Sequence, residues 1–175
     1  MSFAEKDAQL LTSVQDGSMR GVKAALKAGA NVDGAPDQPM TPIAAATIAD
    51  NAGLVVFLLG KGADPDRPVT AKIPCRGTGT VAPGERALHI ATRSENVAIV
   101  RLLLKQSRAD PNAIDNTGFT PLMLACSYPH ACVEVVRLLL AAGADASLAQ
   151  ENGYTPLHAV ALRGHIDVVD MLYSR

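Results

Sequence analysis

The sequence predicts an all-α solenoid, in which helix–turn–helix units stack side by side and are linked by finger-like β-turn loops. The first observation is a segment that recurs along the chain: TPIAAA begins at Thr41, RALHIA at Arg86, TPLMLA at Thr120 and TPLHAV at Thr155. Neighbouring copies therefore begin 45, 34 and 35 residues apart. A period of roughly 20 to 50 residues is typical of repeat architectures, in which each unit packs against its neighbours.

Two further observations define the repeating unit. Each copy of the segment is followed by an apolar stretch with helical spacing, such as LVVFLL from Leu54, VEVVRLLL from Val133 and IDVVDML from Ile166. A turn of small residues closes most units, as GADPD at Gly62 and GADASLA at Gly143, where glycine suits the left-handed residue after a helix. One such unit cannot bury its own apolar face, so we expect its stability to come from stacking.

The last copy shows how the residues specify the two helices in order. The Thr155 hydroxyl can cap the first helix, and Pro156 suits the first helical position, where no amide hydrogen bond is lost. Small residues around Leu157 leave a face of low relief, so neighbouring helices can approach closely. The second helix carries apolar residues at helical spacing, including Val168 and Leu172, which we predict to be core.

The recurring segment resembles the ankyrin family, whose repeat of about 33 residues carries the pattern T-P-L-H-x-A. Counting back from Thr41 by that period places Ala8 at the Thr position, and the family pattern then falls on Leu10, Gly17, Val22, Leu26, Gly29, Ala30 and Asn31. The resemblance implies a single ankyrin-repeat domain over residues 1–175. Its five repeats are predicted at 8–40, 41–85 with an inserted loop at 66–84, 86–119, 120–154 and 155–175, the last one truncated or capping.

The second repeat carries about twelve additional residues, which lie in the segment from Pro65 to Glu85. Four prolines, three glycines and the basic residues Arg67, Lys72 and Arg76 favour a long finger loop over a helix. A long ordered loop is often functional, whereas a lengthened surface loop costs little entropy, and both alternatives stay open. We predict few backbone partners and high mobility for the part from Asp66 to Pro83.

The fourth repeat and the two ends depart from the pattern. Extra residues around Ser127 should lengthen or bend the turn between two helices, and Pro129 stands where the family usually has Gly. The polar first helix, FAEKDAQLLTSVQDG from Phe3, is expected to face water as a capping repeat. The chain stops at Arg175 inside a second helix, so we expect a domain excised from a longer protein, which we favour, or a short terminal cap.

Composition excludes several classes of function. Lys and Arg total 16 against 17 Asp and Glu, a net charge of -1, which provides no basic excess for a nucleic-acid partner. The three cysteines are an odd number and no secretory segment precedes them, so we expect an intracellular and cytoplasmic location. No apolar run reaches the roughly 18 to 20 residues of a membrane-spanning helix. We therefore expect a monomer without a membrane or nucleic-acid partner.

The histidines that match the repeat pattern are predicted to be structural. His89 and His158 hold the His position of the motif, which the resemblance implies to hydrogen-bond adjacent turns. His165 belongs to the Gly-His pair that opens a second helix in the family. None of the three is therefore expected to do chemistry.

Metal, nucleophile and nucleotide sites are the remaining chemical hypotheses. Cys126, His130 and Cys132 lie close in sequence, but a closed zinc site needs four ligands and no fourth ligand lies at a useful spacing. Cys126 is better interpreted as a buried thiol, and Cys75 as an exposed loop thiol. The Gly-rich run from Gly77 lacks the Lys-Ser/Thr pair of a phosphate loop. We predict no catalytic residue, metal or cofactor, and so no enzyme.

The resemblance implies a protein–protein interaction module, a scaffold that binds a protein or extended peptide on the concave face of finger tips and first helices. The alternative is a regulatory or spacer segment of a larger multidomain signalling protein. The phase of the repeat predicts these partner-binding residues: Arg93, Phe119, Ser127, Tyr128, Tyr154, Leu162 and Arg163.

Not every side chain near that face has to bind a partner. Aromatic and Arg side chains are enriched among binding hot spots, which favours the predicted set. Phe119 and Tyr154 could equally pack against the next finger. The cations Arg101, Lys105 and Arg137 fall on second helices, and we predict that they are solvated.

Overall fold

The computed structural model describes residues 2–75, 79–106, 109–128 and 132–173. Ten helices in this part of the chain form five consecutive pairs, which confirms the predicted all-α solenoid. The first helices are α1 (Phe3–Gln15), α3 (Pro42–Ile48), α5 (Ala87–Arg93), α7 (Pro121–Ser127) and α9 (Pro156–Arg163). The second helices are α2 (Met19–Lys27), α4 (Ala52–Gly60), α6 (Val97–Gln106), α8 (Val133–Ala141) and α10 (Ile166–Tyr173).

The helices lie in two rows. Each first helix packs against the first helix of the next pair, and α4, α6, α8 and α10 form a second row behind them. Small buried residues such as Ala44 and Ala91 keep the first row narrow, while Leu58, Leu103 and Leu139 fill the space between the rows. Apolar burial between neighbouring pairs therefore holds the stack together.

The predicted helix starts and stops are confirmed where the motif is intact. The hydroxyls of Thr41 and Thr120 each accept a hydrogen bond from a backbone N–H of the first turn, at 3.2 Å. Gly62 and Gly143 follow second helices with φ of 88° and 91°, a left-handed conformation that glycine adopts without strain. The third repeat starts differently, because the Arg86 side chain does not cap its helix.

Arg86 ties the inserted segment to the next finger instead. Its Nε donates to the carbonyl of Asp66 and its Nη1 to the carbonyl of Ile114, both at 2.9 Å. These carbonyls belong to the start of the insertion and to the finger that follows α6. Arg at this position therefore joins two turns that a Thr side chain is too short to reach.

The insertion folds as a β-hairpin. Strands β1 (Ile73–Cys75) and β2 (Gly79–Val81) pair antiparallel, with Ile73 opposite Val81. The side chains of Val69 and Val81 are buried in the core. The expectation that this segment has few backbone partners is therefore wrong for its described part, because its two strands pair with each other. Its buried valines also pack against the stack.

Backbone hydrogen bonds hold the base of the hairpin. The Val69 N–H donates to the Glu85 carbonyl and the Gly84 N–H to the Val69 carbonyl, each at 2.8 Å. The Thr70 N–H donates to the Pro39 carbonyl at 3.0 Å. The two ends of the insertion are thereby fastened to each other and to the preceding finger.

Some expectations fall outside the described residues. These include the basic side chain of Arg76 and the bend proposed at Pro129, although Ser127 and Tyr128 are described at the end of α7. The repeat boundaries stay a prediction. What the structure gives is the position of each helix pair.

Candidate functional site

A cavity of about 430 Å³ lies between the hairpin and the first helices of the third to fifth pairs. It brings together five predicted residues, Arg93, Phe119, Ser127, Tyr128 and Arg163. We call it the groove cavity. Its walls are completed by Thr80, Ala82, Glu85, Asp115, Thr117 and Leu124.

A buried ion pair forms the floor beneath the hairpin. The Glu85 side chain is fully buried, and its Oε1 accepts from the Ala82 N–H at 3.1 Å and from the Arg93 guanidinium. Burial raises the pKa of the Glu85 carboxyl, while the Ala82 N–H and the Arg93 charge act to lower it. Arg93 also donates to Tyr128 Oη at 3.1 Å. One chain of contacts therefore links the hairpin base to the ends of α5 and α7.

Two hydrogen-bond donors remain directed at the groove. Burial raises the pKa of Tyr128, so its hydroxyl stays protonated at neutral pH. Because Tyr128 Oη accepts from Arg93, its own hydrogen is left to donate. Arg163 uses its Nε to donate to the Ser127 carbonyl at 2.8 Å. Among the described residues no hydrogen bond engages its terminal nitrogens, and a guanidinium fixed at one nitrogen is pre-oriented for an acceptor.

The hairpin offers a backbone edge to the same cavity. Pro74 lies opposite Thr80 and has no N–H. The pair therefore cannot exchange two hydrogen bonds, and the N–H and C=O of Thr80 point away from β1. Ala82, two residues further on, directs its N–H to Glu85 on the groove side. No other strand of the described residues pairs with the outer edge of β2, which lies along the groove cavity.

Asp115 shapes the opposite wall. This buried carboxylate accepts three hydrogen bonds on Oδ1, from the Thr117 N–H, the Thr117 hydroxyl and the Phe119 N–H, at 2.7 to 2.9 Å. They fix the turn that presents Phe119. The Phe119 ring centroid lies 6.3 Å from that of Tyr154, which stacks on His158 at 6.0 Å. The two aromatic residues therefore lie against each other along the fingers, and Phe119 also lines the groove cavity.

Two predicted residues lie outside the groove cavity. Tyr154 is partly buried beside Phe119 without lining the cavity, and Leu162 is 75% exposed on α9. Sequence reasoning also missed Glu85, although the position before Arg86 corresponds to that of Phe119 and Tyr154 in their repeats. That correspondence could have identified Glu85 from the sequence.

His89 and His165 link neighbouring repeats, as predicted, whereas His158 Nδ1 lies 2.8 Å from the Thr155 hydroxyl of its own repeat. His89 is buried, its Nδ1 accepts from the Arg86 N–H at 3.3 Å, and its Nε2 lies 3.1 Å from the Phe119 carbonyl, to which it donates. Burial lowers the pKa of His89 to about 4, so the ring is neutral at neutral pH. His165 Nε2 lies 2.8 Å from the Tyr128 carbonyl. Both side chains thus link neighbouring repeats.

The cysteines show no sign of a reactive site. Burial raises the pKa of Cys126 to about 12, which confirms a buried, protonated thiol. Cys75 was expected to be exposed, but it is half-buried and packs against the core, because β1 lies on the stack. His130 lies outside the described residues. Within the ranges given above, no three His, Cys, Asp or Glu side chains are placed to hold a metal ion.

Two rows of short helices with a finger turn between pairs define a solenoid of stacked helix-pair repeats. A family model described as ankyrin repeats in three copies matches residues 72–150 and 88–175. The chain belongs to the ankyrin-repeat family. Members of this family are generally non-enzymatic interaction modules.

Proteins of different kinds and from different organisms are similar to part of this chain. The tyrosine-protein kinase HTK16 of Hydra vulgaris is 39% identical over 93 residues, which cover 52% of this chain and 12% of the kinase. Protein phosphatase 1 regulatory subunit 27 of Mus musculus is 43% identical over 75 residues, 42% of this chain and 46% of that protein. A human protein, transient receptor potential cation channel subfamily A member 1, is 27% identical over 136 residues, 78% of this chain and 11% of the channel.

These matches cover only part of each relative, between 11% and 46% of its length. The relatives with enzymatic names match through their ankyrin regions, so their activities are not those of the matched segment. In the described part of this chain, no helix has the length and apolar character needed to cross a membrane.

Proposed function

We propose that this protein is a protein–protein interaction module that binds an extended segment of its partner in the groove cavity. The proposal is supported by one observation. Five residues that were predicted from their positions in the repeat line a single cavity, which lies beside the outer edge of β2. An extended segment could add its backbone to Thr80, as in β-strand addition. Tyr128 and Arg163 would then donate to its carbonyl or carboxylate oxygens.

The cavity offers anchoring surface as well as polar groups. Phe119 and Leu124 provide an apolar wall for one side chain of the segment. Tyr and Arg carry much of the free energy of binding at interfaces when neighbouring groups exclude water. The buried pair of Glu85 and Arg93 already satisfies much of its charge internally, so it positions Tyr128 and need not contact the partner.

The experiment is a selection of displayed random peptides on the purified protein, followed by affinity measurements with two conservative variants. Tyr128→Phe keeps the ring and removes the hydroxyl, and Arg163→Lys keeps the charge and removes the planar fork. Each should weaken a selected peptide by about tenfold, because one hydrogen bond to a charged or buried group contributes roughly 1.5 kcal/mol.

The matched control is Arg137→Lys on α8, whose side chain is 65% exposed on the second row. It should leave the affinity unchanged, and all three variants should keep the thermal midpoint of the parent within about 2 °C. Full affinity of both groove variants, together with loss of binding in the control, would place the site on the other row and reject the proposal.

A second candidate function is a regulatory or spacer segment of a larger signalling protein. It is favoured by the fact that the matched stretches make up 11% and 12% of two of the relatives. In that case the selection would yield no peptide above background. Tyr128→Phe, introduced into a longer protein that contains this chain, would then change the activity of a neighbouring domain instead.

We also propose that the chain acts as an intracellular monomer without a cofactor, catalytic activity or nucleic-acid partner. The support is the near-neutral charge and the three unpaired thiols. Light scattering would test the oligomeric state. A mass of twice 18.2 kDa at micromolar concentration would contradict it.

A further inference from the structure

A second surface with a specific charge pattern lies on the row of second helices. Helix α2 carries Arg20, Lys23 and Lys27 and no acidic residue, and α4 has no charged residue but is followed by Lys61. Further along the row α8 contains Glu134, and α10 contains two aspartates. Among the second helices the excess of positive charge is therefore greatest at α2, although α6 also carries Arg101 and Lys105 and the whole chain is nearly neutral.

These cations surround a depression. Lys23, Leu26, Lys27, Phe57 and Lys61 line a cavity of about 400 Å³ between α2 and α4, which we call the basic pocket. Lys23 Nζ lies 5.5 Å and Lys61 Nζ 5.7 Å from the centroid of the Phe57 ring. Both ammonium groups therefore lie within the range of cation–π attraction of the same aromatic ring.

The lysines of the basic pocket have no acidic partner in the described part of the chain. Arg101 of α6 and Arg137 of α8 do have one, because Arg101 Nη2 lies 2.8 Å and Arg137 Nε 3.7 Å from a carboxylate oxygen of Glu134. Lys27 and Lys61 end helices, where the helix dipole favours positive charge. Lys23 stands mid-helix, four residues before Lys27, a spacing at which like charges destabilise a helix. An anion in the basic pocket would relieve that repulsion.

We propose that the basic pocket binds an acidic segment of a partner protein, in which carboxylates flank an apolar side chain. The carboxylates would meet the ammonium groups of Lys23, Lys27 and Lys61. The apolar side chain would rest on Leu26 and Phe57, which are partly buried and form the floor. This site is separate from the groove cavity and does not depend on it.

The shape of the basic pocket favours a peptide over a lipid surface. A membrane-binding face presents exposed apolar side chains that insert between headgroups. Here Phe57 lies at the floor of a depression with a cation beside it, so the ring is not free to insert. A depression of this size holds one or two side chains of a peptide.

The test uses a fluorescent peptide of repeated Glu-Leu-Glu units and its Gln-Leu-Gln counterpart, titrated with the whole chain and followed by anisotropy. The acidic peptide should bind and the neutral one should not, and added salt should weaken binding because exposed charges are screened. Lys23→Gln with Lys61→Gln should lower the affinity about tenfold.

The control variant, Arg101→Gln with Arg137→Gln, removes the same charge from the same row and should change the affinity less than about twofold. Tyr128→Phe should not change it, which separates this result from the outcome for the groove cavity. An equal loss in both double variants would overturn the proposal, since it would indicate attraction to overall charge. Tighter lysine-dependent binding to vesicles of anionic lipid than to the peptide would also overturn it.

Discussion

At the scale of single residues, His89 is the clearest link between neighbouring repeats. Its two ring nitrogens contact the Arg86 N–H and the Phe119 carbonyl, which are 33 positions apart in sequence. The ring can serve both only while it is neutral, because Nδ1 must accept. Burial favours the same form and lowers the pKa of His89 to about 4.

Stability should therefore fall in acid. Between pH 6.5, the usual pKa of His, and about pH 4, the unfolded chain binds a proton at His89 that the folded chain does not. The free energy of unfolding should decrease through that window as pH falls, by about 3 kcal/mol in total for this group. Urea unfolding across the window measures it.

His89→Gln supplies the control for that prediction. The variant should be less stable at pH 7, and the difference from the parent should shrink toward pH 4, because it lacks the titrating ring. Parallel pH profiles for the two proteins would show that another group causes the acid sensitivity.

Residue-level roles were predictable where the repeat pattern supplied them. His89 and Thr120 follow the motif, so their contacts could be expected from position alone. Glu85 could not be interpreted in the same way, because its ion pair with Arg93 is evident only from the folded position of the hairpin. A buried ion pair depends on tertiary contacts that a local pattern does not contain.

At the scale of elements, the inserted hairpin is the part that distinguishes this chain from a regular stack. Its mobility was expected from its proline and glycine content, yet the structure gives its base backbone partners and buries Val69 and Val81. The amides of Val69 and Gly84 should therefore exchange with solvent at least about tenfold more slowly than exposed finger amides such as that of Glu151.

The ion pair beneath the hairpin should control that protection. Glu85→Gln leaves the Arg93 charge without its buried partner, which is strongly destabilising. Exchange at Val69 and Gly84 should accelerate, while Leu139 in α8 stays protected. Glu134→Gln, which removes an exposed partner of Arg101, should cost less than about 1 kcal/mol and leave the hairpin unchanged. Fast exchange at Val69 in the parent protein would contradict the docked hairpin.

At the scale of the whole molecule, the stack was predictable and the docking of its insertion was not. Each copy of the recurring segment specifies the same local structure, a capped helix followed by an apolar helix. The period of the repeat was therefore enough to place the helix pairs. The hairpin is stabilised by contacts to Pro39 and to the finger after α6, which come from different repeats. Five predicted residues line one cavity because they occupy repeat positions that face the same side of the stack. The hairpin that forms its other wall has no counterpart in the other described repeats.

The most direct test of the central claim, binding of an extended segment in the groove cavity, is a hydrogen-exchange map of the protein saturated with a selected peptide. Thr80 should gain the largest protection. Its N–H points away from β1, so it gains a backbone hydrogen bond only when a bound strand pairs with that edge. Tyr128 should become protected with it, and α6 and α8 should not change. Unchanged exchange at Thr80 with new protection confined to the second row would contradict the account.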